Sequence, residues 1–124
     1  MQDATLEKDA SGHWDLLHRI SADAEAEMMA LSLIHWEKDN FFCQVCRTHM
    51  SMYIATYPPE ACIGRRITVA GDSIPKLFEW TVSLHNNVNR NKKKRIVTIE
   101  EAYGRYRKRR PDEPCTLSCL NAAG

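Results

Sequence analysis

From His13 to Tyr57 the chain contains neither glycine nor proline. These two residues are the usual punctuation between short elements, so a stretch this long without them is best folded as helices. The apolar positions agree. Trp14, Leu17 and His18 share one side, and Ile20, Ala24, Met28 and Leu31 carry an apolar stripe on towards Ile34. Ser11 is placed to cap a first helix, and a break near Ser21–Asp23 precedes a second helix that runs to about Lys38. Asp39-Asn40 ends that run and can cap a third helix, from about Cys43 to Tyr57, which Pro58-Pro59 stops.

Residues 58–73 read as a loop holding Gly64, Gly71 and one β-prone piece, Arg66–Val69, with no convincing strand partner. Asp72 or Ser73 is expected to cap a fourth helix from Pro75 to about Asn91. Lys92–Arg95 forms a basic connector, and Thr98-Ile-Glu-Glu101 is a capping-box pattern that opens a short last helix to about Arg109. The fold class predicted is all-α. Residues 1–10 are expected to be a disordered tail, 11–110 one domain, and 111–124 a flexible tail carrying Cys115 and Cys119.

The fourth helix has the clearest internal order. Leu77, Thr81, Leu84 and Val88 fall on one stripe, an ordinary core face. Phe78, Val82, His85, Asn86 and Asn89 fall on another, where a solvated face would carry Lys, Glu or Arg. Asn is a poor mid-helix residue, and a buried Asn needs several hydrogen-bond partners. A heteroaromatic ring edged with N and O atoms would supply them; a solvated face is the plainer reading.

Cys43 and Cys46 stand at a helix start, three residues apart, with Cβ atoms about 5–6 Å from each other. A helix N-terminus favours a thiolate, as thiol–disulfide exchange requires. Two other uses remain open. The pair can be a structural disulfide or buried thiols, or Cys43, Cys46, His49 and Cys62 can bind zinc in a small helical binding module. The missing βαβ pattern argues against a thioredoxin-like fold.

Charge is unevenly spread. Residues 1–40 carry nine acids and three bases, whereas residues 88–110 carry ten bases and two acids. The basic part is suited to solvent or a phosphate group rather than to nucleic acid as a main role, because base-stacking aromatics are confined to Tyr103 and Tyr106. No apolar run approaches the ~18 residues of a membrane span, and no export signal is visible.

Taken together, Trp14-x-x-Leu17-His18, Cys43-x-x-Cys46-x-x-His49 and Trp80…His85-Asn86-x-Val88-Asn89 resemble the Erv/ALR family of FAD-dependent sulfhydryl oxidases, over about residues 11–107. The wording is most similar to small members encoded by large DNA viruses. The resemblance implies a four-helix bundle with a short fifth helix, holding FAD, usually as a homodimer. It implies an enzyme that forms disulfides in protein thiols and passes the electrons to molecular oxygen. Host cytoplasm or virion is the compartment that follows from a viral likeness.

By position, Cys46 would be the sulfur nearest the flavin ring and Cys43 the one that exchanges with incoming thiols. Trp14, His18, His49, Val82, His85, Asn86, Val88, Asn89, Lys94 and Tyr106 would line the cofactor, and Cys115 and Cys119 would form a shuttle disulfide. The chain departs from the family pattern at Ser11, where Arg is frequent, and at Phe41-Phe42, where Tyr-Pro is frequent. Val82 replaces the first cysteine of a structural disulfide found in many cellular members.

Overall fold

The structure, a computed structural model, describes residues 4–107. Five helices account for most of them: α1 (Ala4–Ser21), α2 (Glu27–Asn40), α3 (Gln44–Thr56), α4 (Lys76–Asn91) and α5 (Ile99–Tyr106). The break after Ser21 is real. Asp23 caps a short 3-10 turn over Ala24–Ala26, its carboxylate accepting from the Glu25 N–H at 2.9 Å, and α2 follows at once. Tyr57 closes α3 before Pro58, and Thr98 and Glu101 form the reciprocal capping box of α5.

Three expectations about element ends are corrected. Helix α1 starts at Ala4, so Ser11 lies inside it and residues 4–10 are helical rather than a disordered tail. Ala4, Leu6, Glu7 and Lys8 are good helix formers, and their summed propensity outweighs a single capping signal at Ser11. Helix α3 is capped by Cys43, whose sulfur accepts from the Cys46 N–H at 3.2 Å, and not by Asp39-Asn40. Helix α4 is capped by Pro75, because Asp72 and Ser73 belong to a strand.

That strand is the main departure in the fold. Residues 66–75 form an antiparallel hairpin, β1 (Arg66–Val69) with β2 (Asp72–Pro75), joined by Ala70 and Gly71. Both turn residues have positive φ, 53° and 83°, as a tight two-residue hairpin turn needs. Glycine adopts that conformation freely; Ala70 does not, which hid the turn from a composition-based reading.

Helices α1 to α4 close a ring in which α1 meets α2 and α4, and α3 meets α2 and α4. Inside it lie Trp14, Leu17, Ile34, Cys46, Met50, Leu77, Trp80, Leu84 and Val88. Each fully buried leucine among them stabilises the fold by about 1.5–3 kcal/mol. A second core forms on the other side of α4, where Phe78 and Val82 pack with Val69 and Ile74 of the hairpin and with Ala102, Tyr103 and Tyr106 of α5. The Tyr103 hydroxyl donates to Asp72 at 2.8 Å and ties α5 to the hairpin. The first stripe of α4 is therefore buried in the bundle, and the Phe78–Val82 end of the second stripe in the second core.

Candidate functional site

The site begins at the first turn of α3. Cys43 is half-buried at the N-cap, and Cys46, one turn on, is 2 % exposed. Burial pushes the Cys43 thiol up, but hydrogen bonds from the Cys46 thiol and N–H, with the charge of Lys92, more than offset this and hold it below the ordinary thiol value. Burial first, and then the neighbouring Cys43, push Cys46 up to about 11. The accessible sulfur is thus the better thiolate and the buried one the better-protected thiol. The Arg47 guanidinium donates to the Phe41 carbonyl and fixes the bend that leads into the pair.

Helices α1 and α4 build the opposite wall. The rings of Trp14 and His85 stack at 3.9 Å between centroids, 5° from parallel. Behind them the His18 and His85 rings meet nitrogen to nitrogen, Nε2 to Nδ1, at 3.0 Å. His18 Nδ1 lies 3.1 Å from the Thr81 hydroxyl, which lies 3.0 Å from the Ser21 hydroxyl. Burial is the first cause that holds His18 down to about 3, with the charges of His85 and Arg105 adding to it. Burial also holds His85 down to about 4, with Asp15 opposing and Lys94 and Arg105 reinforcing. Both imidazoles are neutral at ordinary pH, so one ring donates the shared proton and the other accepts.

The two asparagines behave differently from the expectation. Asn86 donates to the Val97 carbonyl at 2.7 Å and accepts from the Val97 N–H at 3.0 Å, so both ends of its amide are taken by backbone. Asn89 donates to the Arg95 carbonyl at 3.3 Å. The partners these residues need are supplied in part by the connector, which they strap to α4. On the α5 side, Tyr106 donates to Asp15 at 2.5 Å, and Arg19 and Arg105 lie over its ring, 5.5 and 5.4 Å from the centroid.

These walls enclose two adjoining cavities of about 310 and 890 Å³. Both are bordered by His85, Asn89, Arg105 and Tyr106, so they make one trough. The larger part reaches Trp14, Cys43, Cys46, Val88, Lys92 and Lys94; the smaller reaches His18, Val82, Asn86 and Arg95. The volumes match sites for sizeable organic ligands, about 300–1,000 Å³. Flat aromatic walls, neutral hydrogen-bonding groups and a cationic rim suit a planar heterocycle that carries anionic groups.

All but one of the expected lining residues from the described region meet in this trough. His49 lines neither part. Cys115 and Cys119 lie outside the described residues. Cys62 is buried in the bundle core, where burial raises its thiol, and no group of three or more His, Cys, Asp or Glu among the described residues is arranged to hold a metal ion. The four-ligand zinc site is therefore not formed. Lys92 and Arg105 belong to the basic runs read as facing solvent or a phosphate group, but neither they nor the Thr81–Ser21 pair were singled out as site residues. Thr81 and Ser21 sit one helical turn from His85 and His18, a spacing that could have revealed them.

No curated protein and no solved structure shows significant similarity to the chain. A family model does match, over residues 11–108, the span that contains the bundle, both cysteines and every wall of the trough. A match over most of the chain, on a helical bundle with this trough, shows that the protein belongs to the Erv1/Alr family.

Proposed function

We propose that the protein is a sulfhydryl oxidase that uses bound FAD to form disulfides in protein thiols. The observation that carries this reading is that Cys43 and Cys46 open onto the same trough as the stacked Trp14–His85 wall. The residues fit the cofactor: an aromatic wall for a flavin, and Lys94, Arg95 and Arg105 around the trough for its phosphates. When bound, FAD would take the electron pair from the reduced cysteines and deliver it to oxygen as hydrogen peroxide.

The chain's own part starts with Cys43. A substrate thiolate attacks Cys43 in the oxidised pair, because Cys46 is closed off beneath it. The Cys43–Cys46 bond breaks, Cys46 leaves as the thiolate, and a second substrate thiolate releases the new disulfide from Cys43. Exposed Phe42 and Val45 flank the point of attack and offer apolar contact to an incoming polypeptide. The neutral His18–His85 pair keeps positive charge away from the wall, and Trp14 keeps water from it.

The tail cysteines extend the same route. Tyr106, one residue before the end of the described chain, borders the cavity that Cys43 opens into. Cys115 follows Arg107 by eight residues, which span up to about 26 Å when extended. On this reading Cys115 and Cys119, which lie outside the described residues, relay electrons to Cys43. The physiological substrate on this reading is a protein dithiol.

A visible spectrum of the purified protein tests the proposal. A flavin band at about one per chain, bleached by dithiothreitol and restored by air, is expected. Cys46→Ser should keep the flavin and lower thiol-dependent oxygen uptake to background. A colourless protein holding one zinc per chain, or full uptake by Cys46→Ser, would overturn it.

A further inference from the structure

Helix α4 ends at a lysine. Lys92 closes it through its backbone, the N–H meeting the carbonyls of Val88, Asn89 and Arg90. The side chain is left to turn back across the trough, where its ammonium donates to the Cys46 sulfur at 3.8 Å. Two residues from distant parts of the chain meet here, one on α3 and one at the end of α4. We propose that Lys92 is a catalytic residue of thiol–disulfide exchange, the cation that stabilises Cys46 as it leaves. The inference rests on the oxidase reading for its place in the reaction, but its physical content, a cation on a buried thiolate, stands alone.

The exchange step shows why a cation is needed there. An incoming thiolate forms a bond to Cys43, the Cys43–Cys46 bond breaks, and its electron pair stays on Cys46 as negative charge. One mixed disulfide and one thiolate replace one disulfide and one thiolate. Cys43 can carry negative charge at the α3 N-terminus, close to solvent. Cys46 is buried, and burial raises the cost of charging it. Lys92 lowers that cost for both sulfurs. The other charged or titratable groups that border the cavity are Asp15 on α1, His85 on α4, Lys94 on the connector, and Arg105 and Tyr106 on α5. Among the described residues, the hydrogen bond donated to the Cys46 sulfur comes from Lys92, while the Cys46 thiol itself donates to Cys43.

The test compares the full-length reduced protein with Lys92→Met, Lys92→Arg and Lys93→Met, following alkylation of Cys46 by iodoacetamide against pH with site-resolved mass spectrometry. Lys92→Met keeps the backbone that ends α4 and the aliphatic stem, so the fold is retained; circular dichroism checks this. The expected result is a Cys46 profile displaced upward by about one pH unit, with alkylation at neutral pH about tenfold slower. Lys92→Arg should restore most of the rate, and Lys93→Met, altering the neighbouring exposed lysine, should leave it unchanged. Unaltered Cys46 alkylation in Lys92→Met, or an equal loss in Lys93→Met, overturns the proposal. Stopped-flow exchange with a small thiol should slow in parallel. A colourless protein would end the oxidase reading, yet the alkylation profile would still decide the role of Lys92.

Discussion

At the scale of single residues, two neutral histidines set the chemistry of the wall and carry a pH signature. His18 and His85 are held at about 3 and about 4, below the ordinary 6.5. A histidine kept neutral in the fold takes up a proton on unfolding, so acid favours the unfolded chain. The stability they contribute is fully present above 6.5 and is lost progressively as the pH falls from there through 4 and then 3. Urea midpoints at about pH 7.5 and about pH 5 should differ, the acid value being lower by a clear margin. Equal midpoints would mean that the pair is not buried neutral. Much of this was legible beforehand: Trp14, His18 and His85 were picked out by spacing and resemblance. Their direct contact was not, because nothing in the sequence shows α1 meeting α4 face to face.

At the scale of elements, Asn86 holds the connector and, through it, the start of α5. Its two bonds to Val97 replace a turn of secondary structure between α4 and α5. Asn86→Ala should lower the stability of the protein by about 1–3 kcal/mol, as expected when two partly buried backbone groups lose their partner. Amide exchange over residues 92–98 should quicken. Unchanged stability would show that the two bonds to Val97 do not hold the connector. Five helices, the Ser21–Asp23 break and the capping box were readable because caps and periodicity are local. The hairpin was not. Asp72-Ser-Ile-Pro75 has little strand character by itself, and it pairs because Ile74 can bury against Phe78 in the second core. Lys92 was similarly hidden, since its role depends on where α4 stops and on which side its chain returns.

At the scale of the whole molecule, α2 leaves Met28, Met29 and Trp36 exposed, with Leu16 of α1 also uncovered. These are large apolar groups to leave in water, and we propose that they form the contact of the homodimer that the sequence resemblance implies. Trp36→Glu should convert a dimer to a monomer in sedimentation equilibrium while the trough stays intact; a wild-type monomer at micromolar concentration would place the partner surface elsewhere. No helix among the described residues is long and apolar enough to cross a membrane.

Helix α4 touches α1, α3, α5 and both strands. A ribosome delivers α1, α2 and α3 before it, and the N-terminal part of a chain has the first opportunity to fold during synthesis. Until α4 emerges, Trp14, Ile34, Cys46 and Met50 lack the helix that seals them, and the reactive sulfurs lack their lysine. The thiols and their shelter are thus made at different times. A nascent chain stopped after Cys46 but before α4 carries Cys43 and Cys46 unguarded, and the trough comes into being only when Tyr106 joins it.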